Sequence, residues 1–275
     1  MLLFKKRRAL IFLCLTLLLA ALAILFVRLR ESNTLARSAT ATSARMSGFP
    51  KIFLWAWERP EHLEFINPRE VGVAFLASTI TLRGDKVSVR PRLQPLKVPV
   101  GTTLIAVVRV ESGREAQPVL SDEQRAELVE ALARAARTPD ISALQIDFDA
   151  TESGRQFYRA TLIDLRRRMP EGMPLSITAL ASWCIFDNWL DELPVDEAVP
   201  MLFRMGVDRH RINDYLQNGG EIRARLCRPS VGVSIDEAIA QTSSATRTYI
   251  FNPQSWTESS ARTAIERIQH ENPLP

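Results

Sequence analysis

The chain has 275 residues, 46% of them hydrophobic, which is enough for one large core or two small ones and argues against a disordered protein. Its formal charge of +4 is concentrated at one end, because residues 1–45 hold eight Lys and Arg against a single Glu. The remainder is slightly acidic, so a nucleic-acid surface is not expected.

Lys5-Lys6-Arg7-Arg8 precedes nineteen uncharged residues, Ala9 to Val27, close to the roughly 20 residues that span a bilayer. The basic flank should stay cytoplasmic. A cleaved signal peptide is the competing reading, but the Ala21-Leu22-Ala23 site lies inside the apolar run. Residues 1–30 are therefore expected to be a basic tip and a single-pass signal anchor in the inner membrane. Residues 31–48, rich in Ser, Thr, Ala and Arg, form a flexible linker. Residues 49–275 form the folded domain, in the periplasm or extracytoplasmic space.

Eight apolar segments follow as strand candidates: 52–57, 71–77, 103–110, 143–149, 175–180, 199–205, 231–234 and 248–252. Helical patterns fall between them at Ser121–Arg137, opened by the capping-box-like Ser121-Asp-Glu-Gln124, and at Gly154–Arg168. A shorter one follows Met205, and Trp256–Gln269 closes the chain. Thr79 to Arg90, with Gly84-Asp85 at its centre, is a hairpin inserted after the second strand. The pattern predicts a compact α/β fold, a (β/α)₈ TIM-like barrel; a doubly wound open sheet is the alternative, without a Gly-rich or Walker-type nucleotide signature to support it.

Leu144-Gln-Ile-Asp-Phe-Asp-Ala150 is the most informative segment. Its alternation places Gln145, Asp147 and Asp149 on one face, at the C-terminal end of a strand, where barrels build their sites. Arg109, on the preceding strand, and Ser176 and Thr178, on the next, share that inward layer. Asp149 is expected at the tip as a catalytic acid or base, and Asp147 one layer deeper, held by a buried Arg109. Glu58 is a third candidate carboxylate. Trp57 and Trp183, near strand ends, are candidate sugar platforms beside Arg109 and Gln145 as substrate-binding residues. The bland alternatives are core for the tryptophans, a salt-bridge layer with Arg109 for the aspartates, and a helix-start charge for Glu58.

His62, His210 and His270 have no metal-ligand spacing, so neither metal nor cofactor is expected. Outside the apolar run only Cys184 and Cys227 remain. Barrel polarity puts Cys184 at the C-terminal mouth and Cys227 near the opposite rim, too far apart for a disulfide, which needs Cα atoms within about 7 Å.

The segments Trp57-Glu58-Arg59-Pro60, Phe75-Leu76-Ala77, Thr81-Leu82-Arg83-Gly84, Leu93-Gln94-Pro95-Leu96, Leu144 to Ala150 and Ser176 to Trp183 resemble a bacterial family of unknown function numbered 3142, from about Lys51 onward. That resemblance implies no activity. Asp147 and Asp149 also resemble the two later aspartates of the chitinase-type Asp-x-x-Asp-x-Asp-x-Glu motif. Leu144 stands at the first Asp position and Thr151 at the Glu position, with Glu152 one residue late.

Two functions follow as expectations. One is an anchored envelope protein whose glycosidase-like barrel acts on a bacterial glycan through the Asp-x-Asp pair. The other is a non-catalytic glycan-binding or assembly protein on the same scaffold. A third, a structural protein with a polar barrel core, predicts no open pocket at Asp149.

Overall fold

A computed structural model describes residues 45–113, 115–238 and 245–271. The apolar run, its basic flank and the linker as far as residue 44 lie outside the described residues, and the expected membrane anchor with them. Among the described residues no helix is long and apolar enough to cross a membrane.

The strands are β1 (Ile52–Ala56), β2 (Glu61–His62), β3 (Val71–Arg83), β4 (Lys86–Pro91), β5 (Leu96–Lys97), β6 (Leu104–Ser112), β7 (Ala143–Asp147), β8 (Leu175–Leu180), β9 (Glu197–Met201), β10 (Ser230–Ser234) and β11 (Arg247–Phe251). The helices are α1 (Asp122–Ala135), α2 (Arg155–Arg168), α3 (Ala181–Ile185), α4 (Arg209–Gln217) and α5 (Glu258–Glu271). Eight strands, β1, β3 and β6 to β11, pair in parallel around a ring. It closes because β1 pairs with β3, Ile52 opposite Val71, and with β11, Ile52 opposite Thr248. The architecture is thus an eight-stranded parallel barrel of TIM type, and the open sheet is excluded.

Strand alternation sorts the core into two shells. Ile52 and Leu54, Ala106 and Val108, and Leu144 and Ile146 face the helices. Phe53, Trp55, Ile105, Val107, Ala143, Val199 and Tyr249 fill the interior. Two glycines make room for the largest rings. A Cβ at Gly72 would fall 2.3 Å from the Phe53 ring, and one at Gly232 2.8 Å from Trp55.

The hairpin is continuous with the second barrel strand: β3 runs on to Arg83 and pairs antiparallel with β4 across the left-handed Gly84. At the start of α1 the Ser121 hydroxyl accepts from the Gln124 backbone N–H at 3.2 Å. The Gln124 amide donates to the carbonyls of Gly84 and Lys86, fastening α1 to the hairpin turn.

Three expectations are corrected. The sixth barrel strand spans Glu197–Met201, beginning two residues early with a buried Glu197 and ending four residues before Met205. Glu197 is tolerated there, 1% exposed, because Arg247 donates to its Oε2 at 2.7 Å and the hydroxyls of Ser176, at 3.2 Å, and Tyr249 both donate to its Oε1. Cys184 and Cys227 are bonded, with Cα atoms 5.9 Å apart. All eight expected barrel strands are present, the sixth with shifted bounds, but the path that carries Cys227 between them was not foreseen. After α4 the chain returns along α3, where the N–H groups of Arg223 and Ala224 both donate to the Cys184 carbonyl. Cys227, in the turn Arg225–Cys227, therefore lies beside α3 in the helix-facing core rather than at the far rim.

The segment entering β1 is packed, although it was expected to belong to the linker. Met46 is 4% exposed within the interior cluster, its carbonyl accepts from Arg247, and Arg45 pairs with Asp196 at 2.7 Å.

Candidate active site

At the C-terminal ends of the strands a cavity of about 300 Å³ opens, lined by Trp55, Trp57, Arg109, Asp147, Asp149, Thr178, Leu180, Phe203, Arg204, Asp208 and Phe251 among others. Asp147 is the last residue of β7. Asp149 follows in the loop toward α2, on the same side, because Phe148 between them turns outward and packs edge-on against Tyr158, with ring centroids 5.0 Å apart.

Asp147 has 15% of its side chain exposed. Burial lifts its carboxyl to about 6; the hydrogen bond from Thr178 Oγ1, at 2.7 Å, opposes that rise, the charge of Asp149 adds to it, and Arg109 works against it. Arg109 is less committed to Asp147 than expected. Its Nε lies 3.9 Å from Asp147 Oδ2 but 3.0 Å from Glu111 Oε1, and 43% of the side chain is exposed. Asp149 stands open at the rim. The surrounding walls still desolvate its carboxyl enough to raise it, again against Arg109. Beneath the pair, the buried Tyr158 phenol stays neutral: burial and the two aspartate charges push it far above the usual value. Of the pair, Asp147 keeps its proton up to about pH 6.

Trp57 forms one apolar wall, edge-on to Phe251 at 6.2 Å and with the Arg109 guanidinium 5.9 Å over its ring. Phe251 stacks on Phe203 at 5.5 Å. Flat apolar surface beside carboxylates and guanidiniums suits a sugar, which presents apolar ring faces and hydroxyl edges. Among the described residues no group of three His, Cys, Asp or Glu side chains is arranged to hold a metal ion.

The structure brings Trp57, Arg109, Asp147 and Asp149 together and leaves three other candidates outside. Gln145 lies fully buried below the cavity floor, accepting from Trp55 Nε1 and donating to Ser176 Oγ, both at 3.0 Å. That amide is consumed by the interior network, so the expected ligand contact is missing. Trp183 is 4% exposed and packs edge-on against Trp189 in the helix-facing core; its neighbours Ala181 and Ser182 line the cavity instead. Glu58 turns away to pair with Arg90 of β4. Thr151, in the place of the chitinase-type Glu, bonds with Ser153 at 3.1 Å, and Glu152 is solvent-exposed.

The residues that sequence reasoning missed include Trp55 of β1, Phe251 of β11 and, above all, the segment after β9. Phe203, Arg204, Met205 and Asp208 looked like the end of a strand and a helix start. Position after a barrel strand was the available signal. Arg204 adopts a left-handed backbone, φ 52°, and is clamped by Asp236 at 2.7 Å and by Glu237.

No family model matches the chain, and no curated protein matches it by sequence, so the resemblance to family 3142 gains no support. Among solved structures it is similar to the chitinase domain of the spore coat protein CotE from Clostridium difficile, at 12% identity and a TM-score of 0.37 over 56% of this chain and 50% of that one. A candidate chitinase A from Streptomyces coelicolor is similar at 9% identity and a TM-score of 0.45, covering 81% and 96%. The spore cortex-lytic enzyme SleL of Bacillus cereus is similar at 16% identity and a TM-score of 0.42, covering 68% and 52%. The matches span about half the length of the first and third of these. At such identities the likeness carries nothing about chemistry, and the barrel stands on its own strand pairing.

Proposed function

We propose that the domain is a glycan-directed barrel of the cell envelope that hydrolyses its ligand at the Asp-x-Asp pair. Asp149 serves as the exposed acid or base, and Asp147 holds the adjoining charge or proton. The observation that carries this reading is an open, aromatic-walled cavity with both carboxyls raised at its floor and rim, the asymmetry acid–base catalysis uses. A purely structural polar core has no use for such an opening. The buried Cys184–Cys227 bond favours an oxidising compartment, in keeping with an anchor at residues 1–30 that exports the domain. Incubation with bacterial cell-wall and exopolysaccharide fragments, followed by mass spectrometry, tests the activity. Asp149→Asn should lower the turnover number about 10²–10⁴-fold while leaving the fold intact. Unchanged turnover would remove Asp149 from the mechanism.

Thr151 favours a second reading, in which the barrel binds glycans without cleaving them, because the proton donor of the chitinase-type motif is replaced. Saturable binding with no products over long incubation would select it.

A further inference from the structure

The charges around the cavity do not balance. Asp147, Asp149 and Asp208 line it, while Glu111, Asp236 and Glu237 stand behind its arginines. Arg109 is paired with Glu111 at 3.0 Å, and Arg204 with Asp236 and Glu237, a cluster that Arg209 joins at 3.6 Å from Glu237. Arg204 is therefore neutralised from outside the cavity, and Arg109 chiefly so, Glu111 lying closer to it than Asp147 at 3.9 Å. What faces a ligand is the aspartate trio. Asp208, half-buried before α4, caps no helix N–H, and its carboxylate has no hydrogen-bond or ion-pair partner among the described residues. The walls are Trp57, Phe203 and Phe251, the Trp57 ring having the Arg109 guanidinium over one face.

An anionic sugar would meet three carboxylates with no free cation. A neutral N-acetyl sugar could offer the Asp208 carboxylate only neutral hydrogen bonds from its amide and hydroxyls, weaker than those of a cation. A protonated amino sugar fits both features, placing its ring on the aromatic wall and its ammonium against Asp208. Resting on the glycan reading above, we propose that the mouth selects glycans bearing free amino groups over their N-acetylated counterparts, with Asp208 as the specificity-determining residue.

The test is isothermal titration of the full chain in detergent, at pH 7 and at two salt concentrations. The probes are glucosamine oligomers, N-acetylglucosamine oligomers of equal length, and a lysine oligomer of equal charge. The expected result is glucosamine oligomers binding about tenfold tighter than acetylated ones, a preference that shrinks at high salt and collapses in Asp208→Asn. Equal affinity, or preference for the acetylated oligomer, overturns the amine selection and leaves the glycan reading standing. Binding of neither oligomer overturns the amine selection and leaves the glycan reading to the cell-wall and exopolysaccharide fragments. A lysine oligomer binding as tightly as the glucosamine oligomer overturns it in favour of bare charge attraction. If Asp208→Asn fails to fold, the wild-type preference and its salt dependence still decide the selection, and Asp208→Ser repeats the residue test.

Discussion

Asp147 keeps its proton to about pH 6 because only 15% of its side chain meets water and Thr178 supplies a single hydrogen bond. An unfolded Asp titrates near 3.9. The folded state therefore binds this proton more tightly than the unfolded chain, and the stability it confers is complete below about pH 3.9 and lost as the pH rises through about 6. The shift corresponds to up to about 3 kcal/mol, counted as an order of magnitude because Asp149 titrates beside it. Asp147→Asn removes the titrating group yet keeps an oxygen for Thr178. Arg109 is not orphaned, since Glu111 holds it more closely and it is 43% exposed. The expected outcome is a variant more stable than the wild type at pH 7, by about 1–3 kcal/mol, with a flatter stability profile between pH 4 and 6.5. Urea denaturation across that range checks it; a variant less stable at pH 7 would restore the buried Arg109–Asp147 pair that the sequence suggested.

At the scale of elements, the strands were legible because barrel strands need apolar runs of fixed period. Gln145, Asp147 and Asp149 sorted inward on that period alone. Its limits lie where contact partners are remote in sequence. Nothing near Glu197 announces that Arg247 and Tyr249, fifty residues on, make its burial tolerable. Likewise nothing in the spacing of Cys184 and Cys227 shows that the segment after α4 doubles back along α3. Trp183 failed as a platform because the short helix α3 starts at Ala181 and rotates the indole outward onto Trp189. The bond closes a loop 43 residues long that contains β9, the cavity-lining segment 203–208 and α4. Closing such a loop restricts the unfolded chain by an amount worth about 2–4 kcal/mol. The double variant Cys184→Ala/Cys227→Ala should lose that much in denaturant melts, and wild type in reductant should follow it. Identical midpoints for oxidised and reduced wild type would deny the bond a stabilising role.

Across the whole molecule, the two ends of the barrel do different work. The C-terminal end carries raised carboxyls and an open cavity. At the N-terminal end the barrel interior is closed: Met46 is buried in its core, Phe49 lies with its ring 5.9 Å from the Arg247 guanidinium, and Arg247 joins the Met46 carbonyl to Glu197. Substitutions at the closed end should change stability and leave ligand binding alone, the reverse of those at the mouth. Arg247→Met leaves Glu197 charged, 1% exposed and without its cation, which costs about 3–5 kcal/mol. Adding Glu197→Gln removes the orphaned charge while keeping an acceptor for Tyr249 and Ser176, so the double variant should recover most of that loss. Replacing a buried ion pair by neutral groups is often close to neutral, whereas removing one partner is not. Melts of the single and double variants, beside titration of the glycan bound by wild type, separate the contributions. A double variant as unstable as Arg247→Met would mean that the loss comes from the severed Met46 contact and not from the stranded carboxylate. Weakened glycan affinity in a folded double variant would mean that the two ends are coupled through the Gln145–Ser176–Glu197 chain of hydrogen bonds running between them.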